Sequence, residues 1–149
     1  MSRGMRSAIR RVGAGLAGVG LVFATAVPAA ATSTYGYCSS GQDNFDFAVN
    51  YKTTTGSRFL IQSYSYKIYG PIRDHNNIEM WLEDRVTGDP VPNSRKRLDE
   101  IPETSSTAWT RVEIPDYAVS MSHTYFGSAY AVFDEFGLDP SCDAFTPPF

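Results

Sequence analysis

Asp43-Asn44-Phe45-Asp46-Phe47-Ala48-Val49-Asn50-Tyr51 alternates. Phe45, Phe47, Val49 and Tyr51 fall on one parity, and Asp46, Ala48 and Asn50 on the other. Successive side chains on a strand point to opposite faces, so this stretch reads as a strand with one face buried. Thr53-Thr54-Thr55-Gly56-Ser57 follows and has the composition of a turn. The next strand runs from Arg58 to Tyr69. Tyr64, Tyr66 and Ile68 share one parity in its second half, while Phe59 and Ile61 hold the opposite parity in its first. That change of phase near Gln62 predicts a β-bulge, or a strand that passes from one sheet to another.

The alternation continues outward. Gly70-Pro71 ends the strand, and Asp74-His75-Asn76-Asn77 reads as a polar loop. Ile78, Met80 and Leu82 then alternate with Glu79, Trp81 and Glu83. Thr87-Gly88-Asp89-Pro90 is a turn. Residues 91–106 are irregular and carry Pro92, Pro102 and the basic run Arg95-Lys96-Arg97. They read as a loop with one short edge strand, since Pro and Lys suit sheet edges. Thr107 to Ile114 alternates, and Pro115-Asp116 is expected to turn the chain. Ser122 to Phe133 is apolar on both parities and reads as a central strand covered on both faces. Gly137 to Phe149 is turn-rich.

No segment beyond residue 31 carries a 3.6-residue apolar stripe with caps. Several short strands separated by Gly, Pro, Asn and Asp turns imply an antiparallel β-sandwich, with a small closed β-barrel as the alternative. Tyr125-Phe126-Gly127-Ser128-Ala129-Tyr130-Ala131-Val132 resembles the penultimate strand of fibronectin-III and immunoglobulin-like domains. The likeness covers that one strand, without a Cys–Trp–Cys spacing, and implies a sandwich of that kind.

Residues 1–31 read as a secretory signal. Arg3, Arg6, Arg10 and Arg11 form a basic start, Val12 to Val27 is apolar, and Ala29-Ala30-Ala31 supplies the small residues a signal peptidase needs. The apolar run is short for a membrane span, which takes roughly 20 residues. Its Ala/Gly-rich style is similar to bacterial export signals. Cleavage after Ala31 leaves residues 32–149 as a single secreted domain. These 118 residues hold nine Lys and Arg against sixteen Asp and Glu, a formal charge of −7. Such a charge disfavours nucleic acid and anionic lipid as partners. Across all 149 residues, 42% are hydrophobic and 19% charged, which excludes disordered, collagen-like and coiled-coil classes. Cys38 and Cys142, one near each end of the domain, are expected to pair as a structural disulfide outside the cytoplasm.

Residues of catalytic type are few. His75 and His123 are the two histidines, and no G-x-S-x-G elbow is present. Ser122 and His123 are neighbours and would point apart on a strand. Glu113, Arg111 and His123 are the residue types of an acid–base ribonuclease, although the negative charge opposes such a substrate. Glu79 and Glu83 share a strand face at about 13 Å, long for a glycosidase pair. Asp43 and Asp46 follow Cys38, while Asp139 and Asp143 flank Cys142. The disulfide would gather these carboxylates, but no D-x-D-x-D-G loop is present and no metal or cofactor is assigned.

Aromatic residues are the distinctive feature. The secreted domain holds nine Tyr, eight Phe and two Trp. Most belong to a core, yet Tyr and Trp are also what binding faces are made of. Trp81, between Glu79 and Glu83, is the first expected platform, with Trp109 and Tyr69 behind it. The same face alternatively packs under the 91–106 loop. The expectation is a monomeric module that binds an extracellular polysaccharide or another protein and is not an enzyme. The rivals are a small secreted hydrolase, and a proteinase inhibitor that offers the 91–106 loop.

Overall fold

The computed structural model describes residues 31–71, 74–104, 106–135 and 137–149. Apart from Ala31, the expected signal lies outside these residues. Among the described residues there are eight strands: β1 Thr32–Ser40, β2 Asp43–Thr54, β3 Arg58–Tyr69, β4 Asn76–Asp84, β5 Lys96–Ile101, β6 Thr110–Ser120, β7 Tyr125–Val132 and β8 Ser141–Phe145. They form two antiparallel four-stranded sheets, ordered β1-β2-β3-β6 and β5-β4-β7-β8. The fold is a β-sandwich and not a closed barrel. The second order is that of the C′-C-F-G sheet of immunoglobulin domains. The first is a β1-β2-β3 meander with β6 added beside β3.

Each alternation in the sequence becomes a face. Phe45, Phe47 and Val49 of β2 and Ile78, Met80 and Leu82 of β4 all point into the core between the sheets, and all six are buried. The phase change in β3 is a bulge. Register shifts occur opposite Asn50/Tyr51 and again between Ile61 and Ser63, so both halves of β3 keep their apolar residues inward. Pro115-Asp116 does not turn the chain. β6 continues through it to Ser120, and the proline sits where the β3–β6 register slips, on an edge strand that loses no ladder bond there.

Three further expectations are corrected. Asn76 is not in a polar loop: it opens β4 fully buried, donates to Ile101 O at 3.0 Å and accepts from Asp134 N at 2.8 Å. β7 is central but covered fully on one face only, because Tyr130 on its outer face is exposed. Strands β1 and β8 carry too little apolar alternation to be read from sequence. β1 turns Gly36 and Cys38 inward and Tyr35 and Tyr37 outward, so its buried side chains are small.

Three devices hold the sheets together. Phe47 of β2 packs against Gly127 of β7, where a Cβ would come within 2.6 Å of the Phe47 ring and closer still to Val49. The Cys38–Cys142 disulfide joins β1 to β8 with Cα atoms 5.9 Å apart, closing a 104-residue separation. Loop-closure entropy puts such a link at about 4–5 kcal/mol. The Tyr64 hydroxyl on β3 donates to Ser94 O at 2.8 Å and lies 3.2 Å from the Tyr117 hydroxyl, while Ser94 Oγ bonds the backbone of Leu82 on β4. Burial pushes both phenols up, Tyr117 to about 12, so they stay protonated and can donate.

The Gly127 contact makes a prediction. Gly127→Ala forces Phe47 and Val49 to move in a packed core, and the cost is expected at about 1–3 kcal/mol. Urea unfolding of the disulfide-intact domain measures it. An unchanged midpoint would show that the sheets can separate freely at this point.

Candidate functional site

The outer face of the β1-β2-β3-β6 sheet collects the exposed aromatics. Register sets the face: Tyr35 opposes Ala48 and Tyr37 opposes Asp46 on β2, while Ala48 opposes Ser65 and Asp46 opposes Lys67 on β3. Ser65 in turn opposes Arg111 on β6. These residues lie on the parity that points away from Phe45, Phe47 and Val49. Tyr35 and Tyr37 are each 58% exposed and Trp109 is 40% exposed. Ala48 and Ser65 are small, so Tyr35 and Trp109 lean towards each other over them, ring centroids 5.6 Å apart. Tyr35, Ala48, Asn50, Ser65 and Trp109 line a groove of about 220 Å³.

Polar groups on this face are arranged around the rings. Lys67 Nζ lies 2.6 Å from Asp46, donates to Ser106 O at 3.0 Å, and sits 4.8 Å from the Trp109 ring and 5.7 Å from the Tyr69 ring. It thereby fixes both aromatics through cation–π contact. Burial, then the Asp46 charge, pushes the Tyr69 phenol up. Asn50 accepts from Ser33 Oγ at 2.7 Å and donates to Ser63 and Ser65 Oγ at 3.1 and 2.9 Å, a polar row across three strands. Arg111 pairs with Glu113 at 2.5 Å. The positive charges named here therefore have carboxylate partners.

Of the three expected platform residues, Trp109 and Tyr69 share this face and Trp81 does not. Trp81 is half-buried on the outer face of the other sheet, where the Arg95 guanidinium lies 5.1 Å from its ring and also 3.4 Å from Glu79. The 91–106 stretch covers Trp81 through that residue. The same stretch is not a free loop: Lys96–Ile101 is β5, Ser94 is buried, and Arg97 pairs with Asp99 at 2.7 Å. Tyr35 and Tyr37 escape the sequence reading because they sit in β1, whose inward residues Gly36 and Cys38 are too small to mark an apolar alternation. The Tyr-x-Tyr spacing within a Ser/Thr-rich stretch was the available signal.

The acid–base residues are also redistributed. Arg111 and Glu113 lie mid-strand on the aromatic face, whereas His123 stands beyond the end of β6. Ser120 is seven residue steps along the strand from Glu113, roughly 23 Å. His123 instead pairs through Nδ1 with Asp84 Oδ2 at 2.5 Å, a contact between residues 39 apart. The pair lines a cleft of about 400 Å³ with Asp89, Pro90, Val91 and Tyr125. Asp84 is held below the usual carboxylate range, first by the His123 hydrogen bond; bonds from the Val86 and Thr87 backbone act in the same direction.

The carboxylates grouped by the disulfide argument separate as well. Asp46 pairs with Lys67, and Asp139 and Asp143 are exposed. Among the described residues no three His, Cys, Asp or Glu side chains come together as a metal-binding group. Asp43 is different: it is fully buried, and burial followed by the nearby Glu135 carboxyl pushes it up to about 6.

No protein-family model, curated protein or solved structure matches this chain.

The depressed Asp84 carboxyl sets a pH dependence. Its folded pKa lies below its unfolded one, so the folded state binds fewer protons around pH 4 and below. The stabilisation is complete above the unfolded aspartate range and is lost as pH falls through the folded value. Urea midpoints measured from about pH 6 to 2 should therefore fall less steeply in Asp84→Asn than in the wild type. Parallel curves would show that the pair adds nothing to stability.

Proposed function

We propose that this protein is a secreted β-sandwich module that binds an extracellular polysaccharide on the outer face of the β1-β2-β3-β6 sheet, without catalysis. The observation that carries this reading is the groove lined by the Tyr35–Trp109 ring pair and by Ala48, Asn50 and Ser65. A pyranose ring presents axial C–H groups to an aromatic face and hydroxyls at its rim. Tyr and Trp rings supply the apolar surface, and Asn50 and Ser65 on the groove floor supply donors and acceptors. Arg111–Glu113 and Lys67–Asp46 are internally paired, which favours an uncharged polymer over a charged one. Secretion rests on the residue 1–31 signal and agrees with a disulfide-linked domain.

Retention of the folded domain on a panel of insoluble neutral polysaccharides tests this. Trp109→Ala and Tyr35→Ala are each expected to weaken retention about 30-fold, as for loss of a 2 kcal/mol anchor. Trp81→Ala, on the opposite face, is expected to bind like wild type. No retention on any polymer, or equal retention by Trp109→Ala, would move the proposal to a protein ligand or end it.

The Asp84–His123 pair favours a second reading, a small secreted hydrolase. An aspartate that holds Nδ1 leaves Nε2 as the working acid or base. In this version the 91–106 segment lines the cleft rim through Val91 and Pro92, and Arg111 and Glu113 play no part. If the domain hydrolyses any polymer it binds, His123→Ala should lower the rate at least 100-fold. An unchanged rate would dispose of this reading.

A further inference from the structure

At one end of the sandwich the β1–β2 turn, the end of β3, the start of β4 and the β7–β8 connection come together. Asp43, the first residue of β2, is completely buried there, and neither of its carboxylate oxygens has a hydrogen-bond donor. The ionisable group that acts on it is a second carboxyl, Glu135 of the β7–β8 connection. Burying one carboxylate without a partner is costly, and placing a second beside it adds repulsion.

The surrounding backbone is built to keep this contact. Gly70, at φ +145, lies so close that a Cβ on it would come 2.8 Å from Asp43 Oδ1 and 2.9 Å from the Gln42 carbonyl oxygen. Any other residue there would be strained and would also fill the space around Asp43. Asn76 holds the Glu135 side of the site by accepting from Asp134 N, and Phe133 N closes the same connection on Pro140 O at 2.9 Å. Glu135 is thus delivered by two fixed points and not by a long free loop.

We propose that Asp43 and Glu135 bind a calcium ion that ties β2 to the β7–β8 connection, and so one sheet to the other. Both groups offer only oxygen, the donor of a hard cation. A single shared proton would leave the second oxygen of Asp43 without a partner. A cation taken by both oxygens satisfies the whole carboxylate. Two bidentate carboxylates give four oxygens, and the Gln42 carbonyl with water brings the set to the six to eight that calcium takes. A site with two carboxylates belongs with weak extracellular calcium sites, with dissociation constants of about 10⁻⁴–10⁻³ M. This inference is independent of the aromatic face and of what that face binds.

The test uses the disulfide-intact domain of residues 32–149, freed of metal with a chelator at pH 7.5. Its melting temperature is followed with added calcium chloride and with sodium chloride at equal ionic strength. At 10 mM calcium the wild type should melt about 5–10 °C higher, and sodium should not reproduce the rise. Asp43→Asn and Glu135→Gln keep the side-chain size and relieve the repulsion. Both should fold, melt at or above the metal-free wild type, and show no calcium shift. A wild type insensitive to calcium, an equal rise with sodium, or a full shift in both variants would overturn the site.

Discussion

The structure depends on how closely its two sheets approach at Gly127. Strand β7 has no side chain at that position, so the Phe47 ring of the opposite sheet lies against bare backbone. The next two inward positions of β7, Ala129 and Ala131, are also small and buried, while Tyr125 fills the end of the strand. The large inward groups come from β2, β3 and β4, among them Phe45, Phe47, Tyr64, Ile78 and Met80. Large against small gives an interdigitated core. The disulfide and the Tyr64–Ser94 bond then fasten sheets whose spacing is already set.

That division of labour leaves the outer faces free to differ. On the β5-β4-β7-β8 sheet, Arg95 lies over Trp81, Phe126 packs near Phe145 at 6.2 Å, and Ser128 is buried beneath its neighbours. On the β1-β2-β3-β6 sheet, the middle strands place Ala48, Asn50 and Ser65 under the groove, while aromatics rise from its flanks. A low centre between raised aromatic walls makes a groove. The same alternation that builds the core thus decides which side chains reach the other surface, and small residues there are as informative as large ones.

Strands β2, β3 and β4 were legible in sequence because one face of each is buried and the other is not. The bulge in β3 was legible for the same reason, as a change of phase between Ile61 and Tyr64. β1 and β8 were not, because Gly36, Cys38 and Ala144 are too small to mark an apolar parity. Pro115 suggests a stop in sequence, whereas an edge strand with a slipped register tolerates it. The aromatic signal in sequence is the same for Trp81, Trp109 and Tyr69, because nothing in the chain says which sheet a strand joins.

The sequence alone determined the antiparallel β class, the main strands and the Cys38–Cys142 pairing. These follow from period-2 burial and from an even cysteine count, both of which are local or combinatorially trivial. Only the tertiary structure decided which residues meet. Asp84 and His123 are 39 residues apart, Tyr35 and Trp109 lie on opposite flanks of one sheet, and Asp43 faces Glu135 across two sheets. Strand order and register create these neighbours, and periodicity specifies the face of a side chain without specifying who stands beside it.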